Sequence, residues 1–288
     1  MKNLKKLIQI ILVSTTLLIL SGCSDFSKED LKKPIQDYLK TNYGIKDEFT
    51  IVYTDDNWFE GIDHQTTIEI KKPYHAYPYL LIERDTLRIL GDESDDIYLE
   101  LFKGAYIKQH PEVVRVVKQI IKNYGLVKYP GKVVMDADGP TYMFPYDNIQ
   151  LNMIYSLELL DEFKETQKID TIALLPTLKP SDPRNNNARY LGVVNFSFEF
   201  DINKNKHPIP NGKDIISDFQ KSGVLKKGIY NIDIYVYSSN YDDYVDEDKH
   251  TSALFEVDEK GRYTIIATPK WDELDDSYFY GDYAGKFH

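Results

Sequence analysis

The stretch Val194-Asn195-Phe196-Ser197-Phe198-Glu199-Phe200 alternates apolar and polar side chains without a break. Successive side chains of a strand point to opposite faces, so this pattern predicts a strand with one face on a core and the other in water. Downstream, a short helix is expected over 214–221, close to Gly223, followed by strands over 229–237, 253–257 and 262–268. Upstream, Ile154, Leu157, Leu160 and the Leu159–Phe163 spacing predict a helix over 149–163. Residues 176–189, with three prolines and an Asn-rich run, read as an exposed loop.

The first half has the same segregated character. Leu31, Ile35, Tyr38 and Leu39 recur at helical spacing, with Gly44 as the stop and Ser27 with Asp30 as a capping box. Pro34 conflicts with a regular interior, so the helix either starts at Pro34 or is kinked there. Alternating runs over 49–53 and 65–70 predict strands, with Asp55-Asp56-Asn57 as a turn, and 79–82 with 87–90 predict a hairpin. Helices are expected over 96–107 and from Pro111 to before Gly125, the second with Val113, Val114, Val117, Ile120 and Ile121 as an apolar stripe. Runs of one element type favour an α+β fold, mostly antiparallel sheet with packed helices, over a doubly wound sheet. Glycine, proline and aspartate punctuate 125–146. The expected division is 31–125 and 126–288, as two α+β subdomains or one continuous domain.

A different segment precedes this body. Lys2, Lys5 and Lys6 open the chain, an apolar run spans 7–20, and small residues follow. That is the layout of a secretory signal over 1–22, too short for a comfortable membrane span of about 20 apolar residues. Leu20-Ser21-Gly22-Cys23 resembles the lipobox of bacterial lipoproteins, in which the cysteine thiol is acylated and becomes the new N-terminus. Cys23 is the sole cysteine, so it has no disulfide partner within the chain. The resemblance implies a lipid anchor on Cys23, a tether over 23–30, and a place on the extracytoplasmic face of the cell membrane. Loss of 1–22 removes three lysines and no acid, which takes the formal charge from −11 to −14 over the remaining 266 residues. Such a body is repelled by anionic headgroups, so the acyl chains must hold it.

The 288 residues are 42% hydrophobic and 28% charged, a globular balance that excludes a wholly disordered chain. The acidic charge argues against nucleic acid, which demands a basic face. No Gly-x-Ser-x-Gly elbow or His-Glu-x-x-His helix occurs. Gly281 to Lys286 and Gly125 to Lys132 both miss the spacing of a phosphate loop. His64, His75, His110, His207, His250 and His288 show no metal-ligand spacing, and no cofactor or metal is expected. Asp136-Ala-Asp138-Gly139 and Asp201-Ile-Asn203-Lys-Asn205 are fragments of a calcium loop without its later glutamate or its turn glycine, and the acidic run 242–248 is a loose cation binder at most.

Twenty-three tyrosines are the unusual feature. They gather as Tyr74, Tyr77 and Tyr79 between prolines, as Tyr235, Tyr237, Tyr241 and Tyr244, and as Tyr278, Tyr280 and Tyr283. Tyrosine offers stiff contact area with a polar tip to sugars, peptides or proteins. Strand propensity with genome bias is the simpler account of the count.

Ile35 to Tyr43, Leu99 to Val114 and Asp214 to Tyr230 resemble blocks of an uncharacterised lipoprotein family of low-GC Gram-positive bacteria, a domain of unknown function. That resemblance implies location and assigns a role to Cys23 alone. The expectation is a membrane-anchored lipoprotein that binds an envelope component or a protein partner. A transporter's solute-binding lipoprotein, a toxin-immunity lipoprotein and a hydrolase with dispersed carboxylates are the alternatives.

Overall fold

The computed structural model describes residues 27–55, 64–83, 86–91, 96–136, 139–181, 191–239, 244–245 and 249–269. Helix α1 (Lys28–Tyr43) leads into strands β1 (Phe49–Asp55), β2 (His64–Ile70), β3 (Tyr79–Ile82) and β4 (Ile89–Gly91). Helices α2 (Asp96–Gln109) and α3 (Pro111–Tyr124) follow, then the hairpin β5 (Lys132–Asp136) and β6 (Gly139–Met143). The rest comprises β7 (Ile149–Leu151), α4 (Leu157–Thr166), the single turn α5 (Thr171–Leu174), β8 (Val194–Asp201), α6 (Gly212–Ser222), β9 (Gly228–Ser238), β10 (Tyr244–Val245), β11 (Thr251–Val257) and β12 (Tyr263–Ala267).

The fold is α+β. One sheet, β1-β2-β3-β4, is antiparallel throughout. The other runs β12-β11-β9-β8-β7, with β10 also on β9, and is antiparallel except where β8 and β9 lie parallel. A parallel neighbour requires a crossover of a dozen residues or more. The segment containing α6 supplies it, and Phe219 of α6 packs its ring 4.5 Å from Phe196 of β8.

Helix α1 shows how local chemistry sets the boundaries. The Asp30 carboxylate accepts from the Ser27 backbone N–H at 2.8 Å, which closes the expected capping box. Lys28, Glu29 and Asp30, expected in the tether, form its first turn. The helix runs through Pro34, so a start at Pro34 is set aside; the Asp30 carbonyl forgoes its intrahelical donor instead. Gly44 ends it at φ +69°, and a side chain there would also meet the Lys164 carbonyl at 2.8 Å.

Buried side chains from Leu31 through Val257 form one cluster. Four aromatic rings cross the second sheet from strand to strand: Phe196, Tyr230, Phe255 and Tyr263, with centroids 5.6 to 6.3 Å apart. Tyr98 of α2 meets Phe163 of α4 at 5.9 Å and Tyr155 at 4.6 Å, which joins the halves. Burying rings of this size contributes about 1.5–3 kcal/mol each.

Two expectations change and a third holds in part. Residues 149–151 are a strand beside β8, and the helix begins only after Ser156; Ile154 and Leu157, read as its apolar face, are 59% and 74% exposed. β8 keeps its second face only partly wet, with Ser197 and Glu199 partly exposed between buried phenylalanines. Asn195 on that face is fully buried, with its side-chain amide paired to both backbone groups of Gly192. The 125–146 stretch contains the β5–β6 hairpin, which its turn-rich composition concealed.

Candidate functional site

Where β2 turns into β3, residues 71–78 bulge out as a loop with a cis Lys72–Pro73 peptide. The bridge between Ile70 and Ala76 holds its base, with both backbone bonds at 2.9 Å. Helix α2 passes beneath at Gly104, so near that a Cβ there would lie 2.3 Å from the His75 carbonyl oxygen. Only glycine permits that approach. The loop, α2 and the Phe144–Tyr146 turn enclose a cleft of about 290 Å³.

Its walls carry two chemistries. Lys71, Lys103 and Lys108 bring cationic charge, against a single lining carboxylate, Glu100. Glu100 is spent internally, in an ion pair with Lys103 and as acceptor of the Tyr77 N–H at 3.4 Å. Lys108 Nζ stands 5.3 Å from the centre of the Tyr74 ring, and among the described residues no carboxylate lies within 4.0 Å of it. The aromatic part is Tyr74, Tyr77, Phe144 and Tyr146. Tyr77 packs 5.6 Å from Phe144 and 4.8 Å from the His75 ring.

Behind the lysines, Glu69 organises the loop. Its carboxylate lies 2.7 Å from His75 Nε2, accepts from the Tyr77 hydroxyl at 3.2 Å and pairs with Lys71 at 3.7 Å. Burial pushes the Glu69 carboxyl upward, but the His75 hydrogen bond and the charges of Lys71 and His75, with the Tyr77 hydroxyl, outweigh it and hold it below the usual range. Tyr146 sits at φ +66°, a left-handed conformation costly for an aromatic residue, and Lys118 of α3 covers its ring at 5.2 Å.

The tyrosines read from the sequence separate here. Tyr74 and Tyr77 line the cleft. Tyr235 and Tyr237 pack 6.2 Å apart on β9. The side chains of Tyr241 and Tyr244, and residues 278–283, lie outside the description, as do Leu20, Ser21, Gly22 and Cys23. Lys103, Lys108 and Tyr146 were not singled out by sequence reading, since α2 brings its lysines to the loop only in three dimensions.

The remaining candidates are structural. Asn205, in the calcium-like fragment, donates to the Tyr124 and Gly125 carbonyls and caps α3. Asp201 accepts from the Asn203 N–H at 3.0 Å in a local turn and pairs with Lys204. His110 meets Thr171 Oγ1 at 3.1 Å, and His250 meets the Val236 carbonyl at 3.0 Å. Among the described residues no three metal-ligating side chains converge, and no helix is long and apolar enough to cross a membrane. The side chain of Asp136, residues 137–138, and the side chains of the acidic run 242–248 lie outside the description. No family model, no curated protein and no solved structure matches the chain.

Proposed function

We propose that this protein is an extracytoplasmic binding protein, held at the cell membrane by lipid on Cys23, that engages an envelope component through the cleft between the 71–78 loop, α2 and the Phe144–Tyr146 turn. One observation carries the reading. In a chain of formal charge −11, the cleft gathers three lysines and four aromatic rings around a recessed surface that a single carboxylate, Glu100, lines. Binding sites combine apolar walls with a few convergent polar groups, and this cleft has that make-up at the small end of the usual range of about 300–1,000 Å³. The Leu20-Ser21-Gly22-Cys23 sequence supports the anchor, and two acyl chains would make it stable without any helix spanning the bilayer.

The test has two parts. Intact protein and its Cys23→Ala variant are followed by membrane fractionation and palmitate labelling, with label and membrane retention expected for the first and lost in the second. Purified full-length chain, wild type and Lys108→Gln, is then sedimented with envelope fragments. Co-sedimentation that falls with Lys108→Gln supports the cleft, and equal co-sedimentation of the two proteins removes it.

A further inference from the structure

We infer that the cleft takes an anionic saccharide: a sugar ring laid on the aromatic walls, with its carboxylate or phosphate at Lys108. The inference rests on the cleft being the binding site and adds the chemical class of what it binds.

Glu100 is already neutralised by Lys103, and Glu69 is held by His75, Tyr77 and Lys71. Lys108 lines the cleft with a tyrosine face below it and, among the described residues, no carboxylate within 4.0 Å. A lysine so placed is a point charge available to an incoming anion. A cationic ligand would meet repulsion at this position.

The shape of the walls selects the rest of the ligand. Tyr77 and Phe144 stand 5.6 Å apart at 59°, forming an angled aromatic corner, and Tyr146 faces the same cleft from a left-handed backbone. Sugar rings present C–H faces that pack on aromatic rings and hydroxyls that reach polar tips. The strained Tyr146 turn is a cost that ring presentation would justify.

Peptides fit less well. An extended peptide gains affinity by pairing with a free strand edge. At this site the backbone of β2 and β3 is already paired with itself, from Thr67 opposite Tyr79 to the Ile70–Ala76 bridge. A purely apolar ligand would leave three lysines facing it.

The experiment measures affinity of full-length chain in detergent micelles by calorimetry, for four probes. These are a hexasaccharide of alternating glucuronate and N-acetylglucosamine, a phosphodiester-linked N-acetylglucosamine oligomer, neutral N-acetylglucosamine hexamer, and inorganic phosphate. At least one anionic oligomer is expected to bind about tenfold tighter than the neutral hexamer, and which one identifies the anion. Lys108→Gln should erase that preference. Tyr146→Asn, which tolerates the left-handed backbone, should weaken every saccharide while leaving the melting temperature near wild type. Equal affinity for neutral and anionic hexamers overturns the anion assignment. Binding of inorganic phosphate as tight as that of either oligomer overturns the saccharide assignment, as does silence of all the saccharides. In each case envelope sedimentation that still depends on Lys108 leaves the cleft reading standing. Sedimentation indifferent to Lys108→Gln and Tyr146→Asn removes both.

Discussion

The Tyr74 hydroxyl makes two hydrogen bonds to one residue, Ile169: it accepts from the backbone N–H at 2.8 Å and donates to the carbonyl at 3.3 Å. The partners are 95 positions apart, so a cleft residue is tied to the segment between α4 and α5. Gln109 and His110 clamp the same segment, with Gln109 donating to the Ile169 carbonyl at 2.6 Å and accepting from Thr171 N–H at 3.0 Å.

Tyr74→Phe keeps the ring under Lys108 and removes both bonds. Leaving a buried backbone N–H unpaired costs about 1–3 kcal/mol. Chemical denaturation is therefore expected to show a loss in that range, with saccharide affinity changed far less than by Lys108→Gln. An unchanged denaturation midpoint would show that water replaces the hydroxyl.

Gly104→Ala tests the contact that shapes the cleft floor. A Cβ placed 2.3 Å from a backbone oxygen cannot be absorbed by a side-chain rotation, so α2 and the 71–78 loop must separate. Overpacking of this kind costs about 1–3 kcal/mol. The expected result is a lower melting temperature together with weakened envelope binding.

His110 gives stability a pH dependence. Burial is the main cause that lowers its pKa, with Lys226 adding to it and Glu112 opposing it, so the folded protein holds the neutral ring. The unfolded chain takes up the proton more readily, from about pH 6.5 downward. The stability this contributes is complete above that pH and declines as pH falls toward the lower folded value. Denaturation of wild type and His110→Asn across pH 5 to 8 should therefore show a steeper acid-side loss in wild type. Parallel curves would remove His110 as the cause.

Alkaline titration sorts the tyrosines. Burial raises Tyr98 to about 12, with Glu162 adding to it, and raises Tyr106 and Tyr230 well above 10. The folded state keeps these hydroxyls protonated, so stability is full below about pH 10 and falls as the unfolded chain ionises above it. Tyrosinate absorbance should rise in two steps, the second coincident with loss of near-ultraviolet circular dichroism. A single step near the ordinary value would contradict the burial of these rings.

What the sequence revealed follows from how local each signal is. The capping box at Ser27 and Asp30, the stop at Gly44 and the alternation of β8 are written within a few residues, and each stands where its chemistry places it. The three residues of β7 adjoin a helical pattern and so read as helix in sequence, and only pairing with β8 makes them a strand. Ser197 and Glu199 keep the partly wet face that the alternation predicts, whereas Asn195 is buried because it finds its partners at Gly192 through a turn that periodicity does not encode. The cleft was half legible. Tyr74 and Tyr77 stood out between prolines, whereas Lys108 and Tyr146 acquire meaning only once α2 and the 144–146 turn meet that loop.

The proposed seat of the envelope ligand is this cleft. Hydrogen–deuterium exchange of the full-length chain, with and without solubilised envelope glycan, tests it most directly. Slowed exchange confined to residues 71–77, 100–108 and 144–147 is the expected result. Unchanged exchange there, or protection appearing only elsewhere on the chain, would contradict it.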